Sequence, residues 1–148
     1  MPRIASKTVA VSRKIKGIIF SDLGRASSFM ALDWVQEALK KSLGFIPYPA
    51  TLNLRPEGEH DERAWAAIQL EWPGIPLSPV SGQFCSARLY RVEVNGPSNL
   101  GNRKSSGAVL LPDVAGYPKD KIEILAPVRL KSALGVSDGD QLILEFVN

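Results

Sequence analysis

The spacing of apolar residues changes several times along the chain. Over residues 8–20, β-branched residues alternate roughly with polar ones, which predicts a strand. Residues 21–25 read as a turn, and residues 29–32 as a further short strand. At Asp33 the period lengthens. Val35, Ala38, Leu39 and Leu43 then form one helical stripe. The Asp33 carboxylate suits the free N–H groups of a first turn, with Gln36 three residues on as in a capping box. Lys40 and Lys41 favour the negative end of the helix dipole, and Gly44 supplies the stop.

Short β segments dominate the rest. Residues 51–54, 84–94, 108–111, 121–125 and 141–147 are predicted strands. In residues 84–94, Cys85, Ala87, Leu89 and Arg91 fall on one side. Residues 61–68 suggest a second short helix with Trp65 inward, and residues 69–82, rich in Pro and Gly, a surface excursion. Pro127 opens a short helix that Gly135 ends, and residues 138–140 form a tight turn. Many short strands with few helices predict a mainly β barrel or sandwich. A doubly wound fold is disfavoured, because helices do not alternate with strands.

A chain of 148 residues matches one domain. A basic arm over residues 1–16, which can include a first strand, precedes a single domain over 17–148. Residues 1–25 hold six basic side chains against Asp22, a local charge of +5, while the remainder carries −2. The arm can meet phosphates of a nucleic acid, a nucleotide or a membrane surface, or stay a solvated terminus. Charges run through the first 20 residues, and no stretch has the ~18–20 apolar residues of a membrane span. With one unpaired cysteine, Cys85, the expected compartment is the cytoplasm.

The residue inventory limits the chemistry. One cysteine and one histidine, His60, exclude an internal disulfide, a thiolate or His-pair zinc site and most His relays. His60 lies in a polar run, residues 57–62, that reads as a solvated loop. Hydroxyls, amides, carboxylates and cations remain, a set suited to phosphate and magnesium. Thr51 and Asn53 are two apart on a predicted strand, so both point to one face. Their uncharged oxygens suit a Mg²⁺ balanced mainly by substrate phosphates. Satisfying a local turn is the competing role. Glu123 lies among apolar β residues and has the choice of a wet strand face, a pocket, or work as a general base. Arg129 and Lys131 add cation density at the short helix that follows. Trp34, Trp65 and Trp72 read as core or rim packing.

Three ordered stretches resemble the archaeal-type, CTP-dependent riboflavin kinases. Residues 43–54, LGFIPYPATLNL, are similar to that family's L-G-F-x-P-Y-x-G-T-L-N-L signature. Residues 117–131, YPKDKIEILAPVRLK, are similar to its Y-P-x-D-x-x-E-I-I-A-P-x-x-L-R stretch. Residues 134–140, LGVSDGD, fit as well. The likeness runs from about residue 17 to residue 147. It implies a compact six-stranded cradle-like barrel with a few short helices. It also implies transfer of the γ-phosphoryl group of CTP to the 5′-hydroxyl of riboflavin, giving FMN and CDP.

The resemblance assigns residues as follows. Thr51 and Asn53 would hold Mg²⁺. Leu23, Gly24, Arg25, Ala26, Ser27 and Ser28 would form the nucleotide-phosphate loop, with Val128, Arg129, Leu130 and Lys131 against the nucleotide. Glu123 and Ala115 would meet the flavin side, Glu123 also being the catalytic candidate.

Two departures stand out. The family's G-x-G-E-G loop is Asp22-Leu23-Gly24-Arg25-Ala26 here, and Ala115 replaces a frequent threonine. Replacing a glycine that needs positive φ costs ~1–2 kcal/mol, which Arg25 can offset by pairing with phosphate. A lost neutral hydrogen bond at Ala115 is worth ~0.5–1.5 kcal/mol. Two functions fit these residues: a working kinase with an altered loop, and a non-catalytic module binding flavin, nucleotide or nucleic acid.

Overall fold

The computed structural model describes residues 13–21, 33–77 and 86–147. The expected turn, phosphate loop and short strand within residues 22–32, Cys85 and most of the basic arm lie outside them. The described elements are β1 (Lys14–Phe20), α1 (Asp33–Leu43), β2 (Leu52–Pro56), α2 (Glu59–Glu71) and β3 (Ile75–Leu77). They continue with β4 (Ala87–Asn95), a 3₁₀ turn (Ser98–Leu100), β5 (Lys104–Pro112), β6 (Ile122–Leu125), α3 (Leu130–Leu134) and β7 (Gln141–Phe146).

Six strands close on themselves in the order β4-β5-β6-β2-β1-β7, with β7 pairing back onto β4. Every pairing is antiparallel. Closure needs β4 to serve two neighbours on one edge. Its first residues, Ala87 to Leu89, pair with β3, and Val92 to Asn95 pair with β7. Pro76 lies in β3, which pairs with β4 alone, a placement that tolerates the missing N–H.

Alternation along the strands splits the apolar residues into two groups. Ile15, Ile19, Leu54, Val92, Val94, Val109, Ile122, Ile124, Leu142 and Leu144 fill the interior. Trp65 of α2 joins that group, edge-on to Tyr90 at 5.4 Å and stacked on Phe146 at 5.5 Å. The outward residues Leu77, Leu89, Ala108, Leu110 and Leu125 are covered by Val35, Leu39 and Leu43 of α1. Gly107 allows β5 and β6 to approach closely, because a Cβ there would lie 2.5 Å from the Leu125 carbonyl oxygen.

Several expectations need correction. Residues 69–82 are not wholly a surface excursion, since α2 runs on to Glu71 and Ile75–Leu77 pairs as a strand. The polar run at 57–62 is not a solvated loop. Glu59–Glu62 form the first turn of α2, and buried Asp61 accepts the Lys16 backbone N–H at 2.9 Å. A carboxylate so placed is satisfied by a strand amide that would otherwise need water. Arg91 does share a side of β4 with Ala87 and Leu89 as expected, but it is exposed there, and its guanidinium donates to the Ser42 and Leu43 carbonyls at the end of α1. The last helix begins at Leu130, not at Pro127.

Candidate functional site

One mouth of the barrel gathers four chain segments. β1 ends there at Phe20 and β2 begins there at Leu52, since the two are antiparallel. β6 ends there at Leu125 and leads into α3, because β6 runs opposite to β2. The turn before β7 clasps the same place: Gly139 N–H donates to Ile19 and Ile19 N–H donates to Asp140.

Strand register builds a polar pair on the outer face beside this mouth. Phe20 pairs with Asn53, Asn53 with Glu123, Glu123 with Leu110, and Leu110 with Leu89. Directly paired antiparallel residues share a face. One row therefore crosses five strands, with an amide and a carboxylate side by side between apolar neighbours. Leu52, Leu54, Ile122 and Ile124, one position away on each strand, point into the barrel.

Glu123 is 8% exposed, so its wet-face alternative does not hold. A buried carboxylate needs donors. Tyr117 Oη donates to Oε2 at 2.5 Å, and Thr51 Oγ1 donates a long hydrogen bond to Oε1 at 3.5 Å. Asn53 Oδ1 is buried with no hydrogen-bond partner. Such an orphan costs about 1–3 kcal/mol and requires an explanation. Among the described residues no three His, Cys, Asp or Glu side chains gather as metal ligands. The donors available at this point are therefore neutral oxygens beside one carboxylate. That set fits a hard cation such as Mg²⁺, with Asn53 Oδ1 and Thr51 Oγ1 as its ligands.

A cleft of about 160 Å³ opens next to Thr51. Tyr48, Ala50, Thr51, Leu52, Ile124, Ala126 and residues 128–131 line it. The structure thus brings Thr51 together with Val128, Arg129, Leu130 and Lys131. α3 has only five residues, too few turns for a strong dipole, so the positive character here comes from the two side chains. Arg129 donates to Ser132 Oγ at 2.8 Å.

Lys131 Nζ lies 2.8 Å from Asp138 Oδ1 and 3.5 Å from Ser21 Oγ, while Ser21 Oγ donates to Asp138 Oδ2 at 2.5 Å. The Lys131 hydrogen bond, then that of Ser21, holds the Asp138 carboxyl below its ordinary value of 3.8. Ser21 is the last described residue before the segment that contains Leu23, Gly24, Arg25, Ala26, Ser27 and Ser28. Those six lie outside the described residues.

Ala115 is exposed, in the turn between β5 and β6 where Tyr117 N–H donates to Val114 and Gly116 has a φ of 82°. That turn swings Tyr117 back onto Glu123. The sequence motif gives Tyr117 no role, and its partnership with a residue six positions on follows from the turn. Asp138 belongs to the family-like stretch at 134–140 and to a tight turn, and neither gives it a role. The turn glycine at 139, with a φ of 92°, was its one signal.

The fold and site define a closed antiparallel barrel with a hard-oxygen cluster and a cationic cleft at one mouth. Comparison with known proteins narrows this. The family model CTP-dep_RFKase, described as "Domain of unknown function DUF120", matches residues 19–146. The chain belongs to this family. It is 33% identical over 134 residues to a riboflavin kinase of Pyrobaculum calidifontis, covering 90% of this chain and 60% of that one. It is 31% identical over 137 residues to a riboflavin kinase of Archaeoglobus fulgidus, covering 90% of this chain and 54% of the relative. A riboflavin kinase of Aeropyrum pernix is 34% identical over 129 residues, 86% of this chain and 90% of its own. The chain thus spans little more than half the length of the first two relatives. Among the described residues no helix is long and apolar enough to cross a membrane.

Proposed function

We propose that this chain is a riboflavin kinase that transfers the γ-phosphoryl group of CTP to the 5′-hydroxyl of riboflavin, giving FMN and CDP. The observation that carries the reading is the row in which orphaned Asn53 Oδ1 adjoins the buried Glu123 carboxylate, next to a cleft lined by Arg129 and Lys131. The family's kinship with riboflavin kinases supports the substrate, and its name supports CTP as donor.

Thr51 and Asn53 would hold Mg²⁺, which when bound neutralises charge on the phosphate oxygens. Glu123 is the general base. Its Oε1 removes the proton from the 5′-hydroxyl, and the freed oxygen pair attacks the γ-phosphorus. The bond to the β,γ-bridging oxygen breaks, and that oxygen leaves with CDP. Phosphoryl transfer of this kind depends chiefly on positioning and charge. Tyr117 holds the carboxylate by Oε2, so Oε1 is the oxygen turned towards Thr51. Arg129 and Lys131 balance the charge that grows on the leaving diphosphate. Arg25, in the altered loop, is a further cation for the same phosphates.

The test is chromatographic detection of FMN after incubation with riboflavin, Mg²⁺ and each of CTP, ATP, GTP and UTP in turn. FMN should form with CTP and fall to background in Thr51→Ala. Background levels with all four triphosphates would defeat the proposal.

A further inference from the structure

Lys131 borders two openings of the same mouth. It lines the cleft of about 160 Å³ with Thr51, and a more open depression of about 410 Å³ with Val136, Ser137 and Asp138. A lysine is a compact charge on a flexible stem, so its anchor decides where that charge stands. Arg129, the cleft's other cation, is tied within its own segment, to Ser132 Oγ. Lys131 is tied across the fold. Its Nζ donates to Asp138 Oδ1 at 2.8 Å, and Ser21 Oγ lies 3.5 Å away. The second carboxylate oxygen of Asp138 accepts from that same Ser21. One carboxylate therefore joins the end of β1 to α3. Ser21 also stands two positions before Leu23, where the stretch that the resemblance gives to the phosphates begins.

The anchor is itself held. Gly139 N–H donates to the Ile19 carbonyl at 2.9 Å, and Ile19 N–H returns a bond to Asp140 at 2.9 Å. Within the turn, Asp140 N–H donates to the Ser137 carbonyl and Ser137 N–H to Asp140 Oδ2. Stability does not account for the pair. The Lys131 and Asp138 side chains are 30% and 49% exposed, and ion pairs so open to water contribute little to folding. Attraction of phosphate does not account for it either, because a carboxylate beside a polyphosphate repels it. Orientation of the ammonium is what remains.

We propose that Asp138 is a positioning residue for phosphoryl transfer, holding the Lys131 ammonium where the leaving phosphate develops its charge, at a cost in affinity for the nucleotide. This deepens the kinase reading and rests on it. An unanchored lysine still attracts phosphates, so ground-state binding survives its release. The transition state needs the charge at one place, so the rate does not. Asp138 thus acts on turnover through Lys131 and not on nucleotide binding.

A double-mutant cycle tests it, with FMN formation from CTP and calorimetry of CDP, both with Mg²⁺, as the two readouts. The proteins are wild type, Asp138→Asn, Asp138→Glu, Lys131→Met and the Asp138→Asn, Lys131→Met double variant. Asp138→Asn keeps the shape and an acceptor for Ser21 but loses the charge. Its kcat should fall about tenfold, while its affinity for CDP stays equal to wild type or tightens. Asp138→Glu, which keeps the charge, should retain kcat within about threefold. In the Lys131→Met background, Asp138→Asn should cause no further loss. Melting curves check each fold, and Asp138→Ser takes the place of an Asp138→Asn that does not fold. The same tenfold loss with Lys131 already removed overturns the proposal, since the turn would then act by itself. Parallel weakening of CDP binding overturns it too. An unchanged kcat in Asp138→Asn overturns the role of Asp138 and leaves the kinase reading standing. A wild-type protein that binds CDP but forms no FMN overturns the kinase reading and this role together.

Discussion

Asn53 and Glu123 carry opposite kinds of information although they face each other across two strands. The carboxylate is satisfied by Tyr117 and Thr51, whereas the amide oxygen beside it is buried without a partner. An orphaned acceptor of this sort costs about 1–3 kcal/mol in the free protein. Asn53→Val removes that cost along with the oxygen. Its melting temperature should not fall below wild type, while Mg²⁺-dependent FMN formation should be lost. A large drop in melting temperature would assign Asn53 to structure instead. Tyr117→Phe deletes one charge-assisted hydrogen bond, worth ~1.5–3 kcal/mol, from the base. With the fold intact, kcat for FMN formation should fall about tenfold or more. The Thr51–Asn53 pair was legible in the chain because a period of two fixes a shared face. The orphan was not, since it depends on register with β6 and β1, which no local spacing encodes.

At the scale of elements, legibility follows how local the cause is. α1 was readable from its stripe because Val35, Leu39 and Leu43 all bury on one face of the sheet. The length of α2 was not, because its first turn is wholly acidic or histidine and buries Asp61 by a hydrogen bond to β1. β3 was hidden by Pro76, which its position outside the closed barrel tolerates. Arg91 sits at a strand position that alternation turns outward, and it ends up capping α1. Arg91→Ala should therefore lower stability by about 1 kcal/mol, read from denaturant unfolding, through loss of its bonds to the last carbonyls of α1. Gly107 fixes the spacing of β5 and β6. Gly107→Ala should destabilise by ~1–3 kcal/mol, since the new methyl meets backbone and not a yielding side chain. A neutral effect in the same unfolding measurement would show that the two strands can separate at no cost.

For the whole molecule, closure of six strands is the property that the sequence pattern alone leaves open between barrel and sandwich. β7 must return to β4, a pairing of residues 48 to 54 positions apart. The motif resemblance supplied that topology, and strand pairing bears it out. Two titrating groups set edges to stability. Asp138 has a folded pKa below its unfolded value. Its contribution is present above about 3.8 and disappears as pH falls through the lower folded value. Burial pushes the Tyr90 phenol above its ordinary 10.0, outweighing the lowering by Arg88. Its contribution is full below pH 10 and is lost as pH rises through the folded value. Unfolding free energies measured across pH should show both edges. Asp138→Asn should differ from wild type less and less as pH drops below 3.8, and a constant difference across that range would contradict the assignment.

The most direct measurement follows the phosphorus atoms. ³¹P NMR of one sample containing the protein, riboflavin, CTP and Mg²⁺ distinguishes CTP, CDP, inorganic phosphate and the FMN phosphomonoester. One FMN should appear for each CDP, with no inorganic phosphate, and both signals should be absent in Asn53→Val and Glu123→Gln. CTP that stays intact, or that yields CDP and free phosphate without FMN, would contradict the assignment of this barrel as a riboflavin kinase.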